Sequence, residues 1–361
     1  MILLGLVFSP PTRSKIEYYL LLCGSLLGLM LLVRTLHLLM LFIALEITSV
    51  CSYGLVFFAS EKKATEAGAK YIFFGIFSSA LMLYGISLYW SINGTFILTK
   101  NQFPSWSDDL IFLLISAGLL FKTSAAPFHI WTPDVIESAP LPIAAFFTVV
   151  PKAGALAALV NLLPNQWKLL TLIAIASLVI GSLSAIGQTN ARRLMAYAAI
   201  AQVGFLLMPV LTLSYGALIY YLWVYLFLNA LAFAAIAWIE NKTGSQQLSY
   251  FAGWGANCPL LGIAMTTAMA GLIGLPPTAG FAAKLLVFLS LWQYSSNYLL
   301  LTLFFVGIVA TIISVYFYLK APYEMFFKKA ASAKEKSSMA LLQRFWLIGM
   351  TGTIFLLIAF S

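Results

Sequence analysis

Residues 118–142 read GLLFKTSAAPFHIWTPDVIESAPLP, and the reading of this stretch decides the fold. It begins as the end of an apolar helix, carries Lys122 inside that helix and breaks at Pro127. His129, Trp131, Pro133, Asp134 and Glu137 follow before Pro140 and Pro142 open the next apolar run. A lysine set in apolar sequence beside a helix break is a place where charge is held, moved or exchanged, because free backbone groups and charges at membrane depth must face protein or water.

The surrounding composition agrees with a membrane interior. Of 361 residues, 62% are hydrophobic and only 9% charged, which excludes an ordinary soluble domain. Apolar segments recur at lengths near 20 residues, enough to cross a hydrocarbon core of about 30 Å. The net charge of +9 is read as loop lysines and arginines on one membrane face, not as a nucleic-acid surface, since no basic stripe lies on a soluble face. Cys23, Cys51 and Cys258 lie in or beside apolar segments with no CxxC pair, and the chain has two histidines. That donor set assembles no disulfide framework, zinc, iron–sulfur or haem site, so no cofactor is expected in this chain.

The first residues, MILLGLVFSPPTRSK, are too short an apolar run to span and lack the features of a secretory signal. Residues 1–16 are therefore read as a leader segment. Eleven spans follow: 17–33, 36–59, 66–91, 109–126, 140–163, 168–187, 192–211, 214–240, 258–295, 298–320 and 343–361. With the N-terminus on the inner face, that side receives Arg13, Lys15, Lys62, Lys63, Arg192, Arg193, Lys242, Lys320, Lys328, Lys329, Lys334, Lys336 and Arg344. The other side receives only Arg34, Lys100 and Lys168. This asymmetry supports the alternation of the spans.

Two Pro/Gly interruptions stand out, KTSAAPF after Lys122 in the fourth span and GLIGLPPTAGFAAK, residues 271–284, in the ninth. Proline removes a donor and clashes with the preceding turn, so both spans should kink or unwind. The breaks hold the same place in two successive groups of five spans, and an odd group size inverts the second. The expected fold is an all-α polytopic membrane protein: two inverted five-helix repeats, 17–163 and 164–320, then a basic loop, 321–342, and a C-terminal helix, 343–361.

Four charges fall deep in these spans. Glu46 lies about 15 Å into the second span by helical rise, and Lys122, Lys152 and Lys284 reach comparable depth. Mid-depth lysines cannot snorkel to an interface. Each such charge opposes insertion by about 2.5–3.5 kcal/mol, so the four must face one another or a hydrated interior. Burial and a nearby carboxylate act oppositely on a lysine's proton affinity; a Lys122 whose distance from Glu46 changes is a switchable proton carrier. Lys70 lies one turn into its span, where it can snorkel, pair with Glu66 or take part. His129 either satisfies backbone groups freed after Pro127 or delivers protons towards Lys122. Asp134 and Glu137 read as loop carboxylates that cap the next helix or dock a neighbour, and Arg192 and Arg193 as positive-inside anchors.

ALEITSVCSYGLVFFA around Glu46, EAGAKYIFFGIFSSALMLYG around Lys70 and the opening stretch around Lys122 carry a resemblance that continues through VVPKAGALAAL, NARRLMAYAAIAQVGFLL and GLPPTAGFAAKLLVF. The chain resembles the subunit 2 family of antiporter-like membrane proteins in respiratory complex I, the proton-pumping NADH:ubiquinone oxidoreductase, related to cation/proton antiporters. The resemblance covers most of residues 40–290. It implies that Glu46 and Lys122 form the coupled pair of a first half-channel, that Lys152 is a central relay and that Lys284 serves a second half-channel, with polar residues and internal water between them. It also implies other membrane-arm subunits as partners, with NADH, flavin (FMN), iron–sulfur clusters and ubiquinone held by other subunits. Longer family members have fourteen helices, and eleven here resemble some shortened mitochondrial forms. That favours a mitochondrial inner membrane, with the N-terminus on the matrix side and the C-terminus on the intermembrane side, over a bacterial plasma membrane. A stand-alone cation/proton antiporter and a non-conducting scaffold of the membrane arm are the alternative functions.

Overall fold

The computed structural model describes residues 15–58, 62–98, 106–162, 167–329 and 341–357. Among them are fourteen α-helices. In chain order these are α1 (Lys15–Arg34), α2 (Leu38–Val56), α3 (Lys62–Asn93), α4 (Trp106–Thr123), α5 (Thr132–Ser138), α6 (Leu141–Leu162) and α7 (Trp167–Ile186). They continue with α8 (Ala191–Leu211), α9 (Tyr215–Thr243), α10 (Trp254–Asn257), α11 (Pro259–Ile273), α12 (Ala279–Trp292), α13 (Tyr298–Phe327) and α14 (Leu341–Leu356). The leader segment lies outside the described residues up to position 14, as do residues 330–340 of the basic loop. The helix α13 runs on through Pro322 to Phe327, into the stretch read as the start of that loop.

The expectation of eleven spans is corrected. Eight described helices, α1, α2, α3, α6, α7, α8, α9 and α13, are long and apolar enough to cross a membrane. The other three expected spans differ for separate reasons. The helix α4 has 18 residues and carries Asp108, Asp109 and Lys122; the ninth is divided into α11 and α12, of 15 and 14 residues; and α14 has 16. The arithmetic of two five-span groups plus one falls with the count.

Lipid as solvent explains the radial arrangement. Large apolar side chains stand on the outside, such as Phe73 at 68% exposure and Ile312 at 65%, whereas Lys122, Lys152 and Lys284 are exposed by 1%, 0% and 5%. Water would penalise such an inverted surface, and hydrocarbon selects it. The helix α8 is buried along nearly its whole length and packs against α5, α6, α7, α9, α12 and α13. Its Ala-rich sequence, with Ala191, Ala196, Ala198, Ala199 and Ala201, permits close approach on several sides.

Both interrupted helices stop in the same way. After α4, Ser124 takes φ +65°, its N–H donates to Phe121 O at 3.0 Å, and Ala125 N–H donates to Leu120 O at 3.0 Å. After α11, Gly274 takes φ +87°, its N–H donates to Gly271 O at 3.0 Å, and Leu275 N–H donates to Ala270 O at 3.0 Å. Each is a Schellman stop, which satisfies orphan carbonyls of the last turn. Side chains cover other freed groups: Trp131 Nε1 donates to Phe121 O at 3.3 Å, and Ser177 Oγ accepts from Ala126 N–H at 2.9 Å. The two halves of the second break then touch directly, because a Cβ on Gly280 would lie 1.8 Å from Gly271 O.

Short helix α5 is clamped by ion pairs at one end of the bundle. Asp134 meets Lys70 of α3 at 3.0 Å and Arg193 of α8 at 3.1 Å, and Glu137 meets Arg193 at 2.8 Å and Asn190 Nδ2 at 3.2 Å. Arg192 forks onto Glu240 of α9 through Nε at 2.9 Å and Nη2 at 2.8 Å, while its Nη1 donates to Ala139 O at 2.7 Å. These arginines are thus docking groups for the broken helix, beyond any anchoring role. Asn190 also caps α8, its side chain accepting from the N–H groups of Arg192 and Arg193.

Two outcomes follow from this packing. Gly280→Val should force the half-helices apart and destabilise the fold by on the order of 3 kcal/mol, read as a lowered thermal midpoint in detergent. Arg192→Ala should cost about 3–5 kcal/mol, because it strands the Glu240 carboxylate and the Ala139 carbonyl.

Candidate functional site

Lys122 sits in the last turn of α4, where the helix must end before Pro127. Its ammonium donates to Ser52 Oγ at 3.1 Å and Tyr71 OH at 3.2 Å, with Ser49 Oγ at 3.5 Å. Three donors therefore face three hydroxyl oxygens, the full complement of a lysine. Tyr71 is held in turn by stacking on Trp131 at 4.3 Å and on Phe121 at 5.6 Å, and by an edge contact with Tyr53 at 4.8 Å. The Ser52 hydroxyl donates to Thr48 O at 2.6 Å, which turns its lone pairs towards the lysine.

Glu46 lies on the same helix as these serines, one turn before Ser49. Its Oε1 accepts from the Ser79 hydroxyl of α3. Among the described residues no ion pair joins Glu46 to Lys122; Glu46 belongs to α2, and Lys122 of α4 meets α2 through the Ser49 and Ser52 hydroxyls. Lys70, by contrast, is half exposed and paired with Glu66 at 3.1 Å and with Asp134. It belongs to the charged end of the bundle, where a cavity of about 560 Å³ is lined by Lys63, Glu66, Lys70, Asp134, Glu137 and Arg193 among others. His129 is half-buried within the first break, its ring beside the Pro127 carbonyl. No hydrogen bond links it to Lys122.

Lys152 follows Pro151 within continuous helix α6. It is fully enclosed, and its ammonium donates to the Ala199 carbonyl of α8 at 2.8 Å. One turn along α8, Gln202 donates through Nε2 to Leu272 O at 3.1 Å and to Tyr318 OH at 3.2 Å, and accepts from the Tyr221 hydroxyl. One further turn along, Phe205 lies under the Lys284 ammonium at 4.3 Å from the ring centroid. Lys284, on α12, reaches back across the break and donates to Ile273 O at 2.8 Å. The last four carbonyls of α11 are thereby all satisfied: Ala270 and Gly271 by the Schellman stop, Leu272 by Gln202 and Ile273 by Lys284.

The arrangement therefore runs from α2 and α4 through α6 to α8 and α12, with Ala199, Gln202 and Phe205 of α8 presenting successive turns to Lys152 and Lys284. The charges were visible in the sequence. Ser49, Ser52, Tyr71, Ser79, Gln202, Tyr221 and Tyr318 were not singled out, although Ser49 falls three residues after Glu46 and Ser52 three after Ser49, each a helical neighbour of the one before. Among the described residues, no group of three or more His, Cys, Asp or Glu side chains could hold a metal ion.

Comparison with known proteins matches residues 35–313 to the family model described as NADH:quinone oxidoreductase/Mrp antiporter, TM. The chain is 35% identical over 352 residues to NADH-quinone oxidoreductase subunit N 2 of Chloroherpeton thalassium, covering 90% of this chain and 68% of that protein. It is 38% identical over 323 residues to NADH-quinone oxidoreductase subunit N of Moorella thermoacetica, covering 84% and 67%. A chain in the structure of respiratory complex I from Thermus thermophilus superposes with a TM-score of 0.85 at 32% identity, covering 96% of this chain and 79% of that one. These relatives are bacterial, which overturns the mitochondrial inner-membrane placement and makes a bacterial plasma membrane the location that accords with them. The short mitochondrial form is likewise not what the comparisons return. The match over residues 35–313, together with these two bacterial relatives, shows that the chain belongs to the NADH:quinone oxidoreductase/Mrp antiporter family of membrane subunits.

Proposed function

We propose that this chain is a proton-translocating membrane-arm subunit of an NADH:quinone oxidoreductase, with Glu46, Lys122, Lys152 and Lys284 as the groups that carry the proton. The observation behind this reading is that three lysines are buried in a lipid-facing bundle, each held by hydroxyl or carbonyl oxygens in place of a contacting carboxylate. A purely structural role would be served better by apolar side chains, because burying an ion costs several kcal/mol even after relaxation. Groups retained at that cost, Lys122 and Lys284 beside helix breaks and Lys152 and Lys284 both against α8, suit reversible protonation.

In this reading electron transfer takes place in other subunits, which hold NADH, flavin, iron–sulfur clusters and quinone. A change in the separation of Glu46 from Lys122 alters the lysine's proton affinity, and the proton passes by way of Lys152 towards Lys284. Ser49 and Ser52, which hold the Lys122 ammonium, stand on the helix that carries Glu46, so a movement of α2 acts on both groups. Lys70 acts as a clamp on α5, and His129 lies within the first break, beside the Pro127 carbonyl.

A second reading, a stand-alone cation/proton antiporter, takes support from the Mrp antiporter members of the same family. It requires the single purified chain to exchange Na⁺ for H⁺ in liposomes, and under the main reading it does not. The main reading is tested by Lys122→Met in the intact complex, where pumping-linked quinone reductase activity should fall about tenfold with normal assembly. Full activity in that variant removes Lys122 from the path. Ser52→Ala, which takes away one of the three oxygens at Lys122, should give a smaller loss, about threefold, in the same assay.

A further inference from the structure

A groove on the outer side of α13 stands apart from the buried lysines. It encloses about 1010 Å³, with Leu248, Ile312, Val315 and Leu319 along its apolar wall and Thr189, Gln247, Ser249 and Lys320 at its polar end. Gln247 also lines the charged cavity that holds Lys70 and Arg193, so the polar end lies at the charged end of the bundle. From Lys320 back to Ile312, α13 rises about 12 Å, most of the roughly 15 Å depth of one leaflet. The groove therefore runs from the membrane boundary towards the middle of the bilayer, polar at the boundary and apolar below it.

The polar end is held in shape by the backbone. Asn190 and Gln247 form an antiparallel bridge, and Leu248 N–H donates to Thr189 O at 2.9 Å, which lays the loops before α8 and after α9 side by side. The Lys320 ammonium donates to Ile186 O and to Gln188 O, the latter at 3.3 Å, and so joins α13 to the end of α7. A lysine has three such donors, and one is left for a ligand. Glu324 also lines the groove, and its carboxylate accepts from Lys328 at 2.7 Å. Lys320, Lys328 and Lys329 against Glu324 leave this end of α13 and the residues after it net positive.

A second groove of about 470 Å³ lies beside Leu319 and Tyr323, which line both, and is bounded by Ile263, Thr266, Pro322 and Phe326. Two apolar channels that share one ridge, below a cluster of donors with net positive charge, match two acyl chains under a phosphate. A partner helix satisfies its own backbone groups and offers these donors little.

We propose that this surface binds one anionic phospholipid, with its phosphate at Lys320, Thr189, Gln247 and Ser249 and its acyl chains on the two flanks of the Leu319–Tyr323 ridge. Bound there, the lipid ties α13 to the loops before α8 and after α9. The inference does not rest on the proton path, and failure of Lys122→Met to slow pumping would leave it as it stands.

The test uses the intact complex in nanodiscs doped with a phospholipid that carries a diazirine in its acyl chain, with either a phosphatidylglycerol or a phosphatidylcholine headgroup. After irradiation, the labelled residues are mapped by peptide mass spectrometry. Residues 312–323 should take up the phosphatidylglycerol probe about fivefold more than the phosphatidylcholine probe. Lys320→Gln should abolish that preference. Ser249→Asp, at an exposed position that leaves the Lys320 contacts in place, should lower the phosphatidylglycerol label about fivefold with an unchanged thermal midpoint. Equal labelling by the two probes in the parent marks an ordinary boundary lipid and overturns the proposal. So does a preference that survives Ser249→Asp, or a density map in which a protein helix fills the groove.

Discussion

The rest of the structure depends on how an ammonium group is kept in an apolar bundle without a carboxylate against it. Moving an ion from water into protein costs several kcal/mol even after relaxation, and three lysines incur that cost here. Oxygen atoms offset it in three different ways: hydroxyls around Lys122, a helical main-chain carbonyl at Lys152, and the free end of a broken helix at Lys284. Helix breaks, serines at helical spacing and the central position of α8 all serve these contacts.

The breaks themselves are well-finished ends. Schellman stops close the last turns of α4 and α11, and Trp131, Ser177, Gln202 and Lys284 take up other freed backbone groups. Inside a membrane this completeness is required, since no lipid atom can hydrogen-bond an orphan carbonyl. Ion pairs at the charged end then fix α5 to α3 and α8, so the segment that carries the first break is joined to helices from both parts of the chain.

Much of this was legible in the sequence. The deep placement of Lys122, Lys152 and Lys284 followed from their positions in long apolar runs, and both interruptions were visible as Pro/Gly stretches. Proline alone was a poorer guide: Pro151, Pro209 and Pro322 lie within continuous helices, because a single missing donor bends a helix that its neighbours still hold. The span count failed where charge or a break divides an apolar run, as at Asp108, Asp109 and Pro276. The oxygen partners were hidden for a different reason. Ser49, Ser52, Tyr71 and Gln202 become recognisable only when α2, α3, α4 and α8 are packed together, and hydropathy carries no record of which polar side chain turns inward. Location was misread because span number was taken as a sign of compartment.

Lys122 and Lys284 stand on different sides of their breaks, one before and one after, and the Lys284 ammonium ends at the carboxyl end of a half-helix. That end carries the negative pole of the helix dipole, and at Lys284 the contact is with the terminal carbonyl of α11 itself. The charge is therefore held by the position of a piece of backbone. By reciprocity, whatever shifts the end of α11 changes how firmly the proton is kept, and loss of the proton weakens what holds that end in place. Chemical occupancy and helix position become two readings of one variable, so a mechanical displacement arriving along the bundle would be felt as acidity.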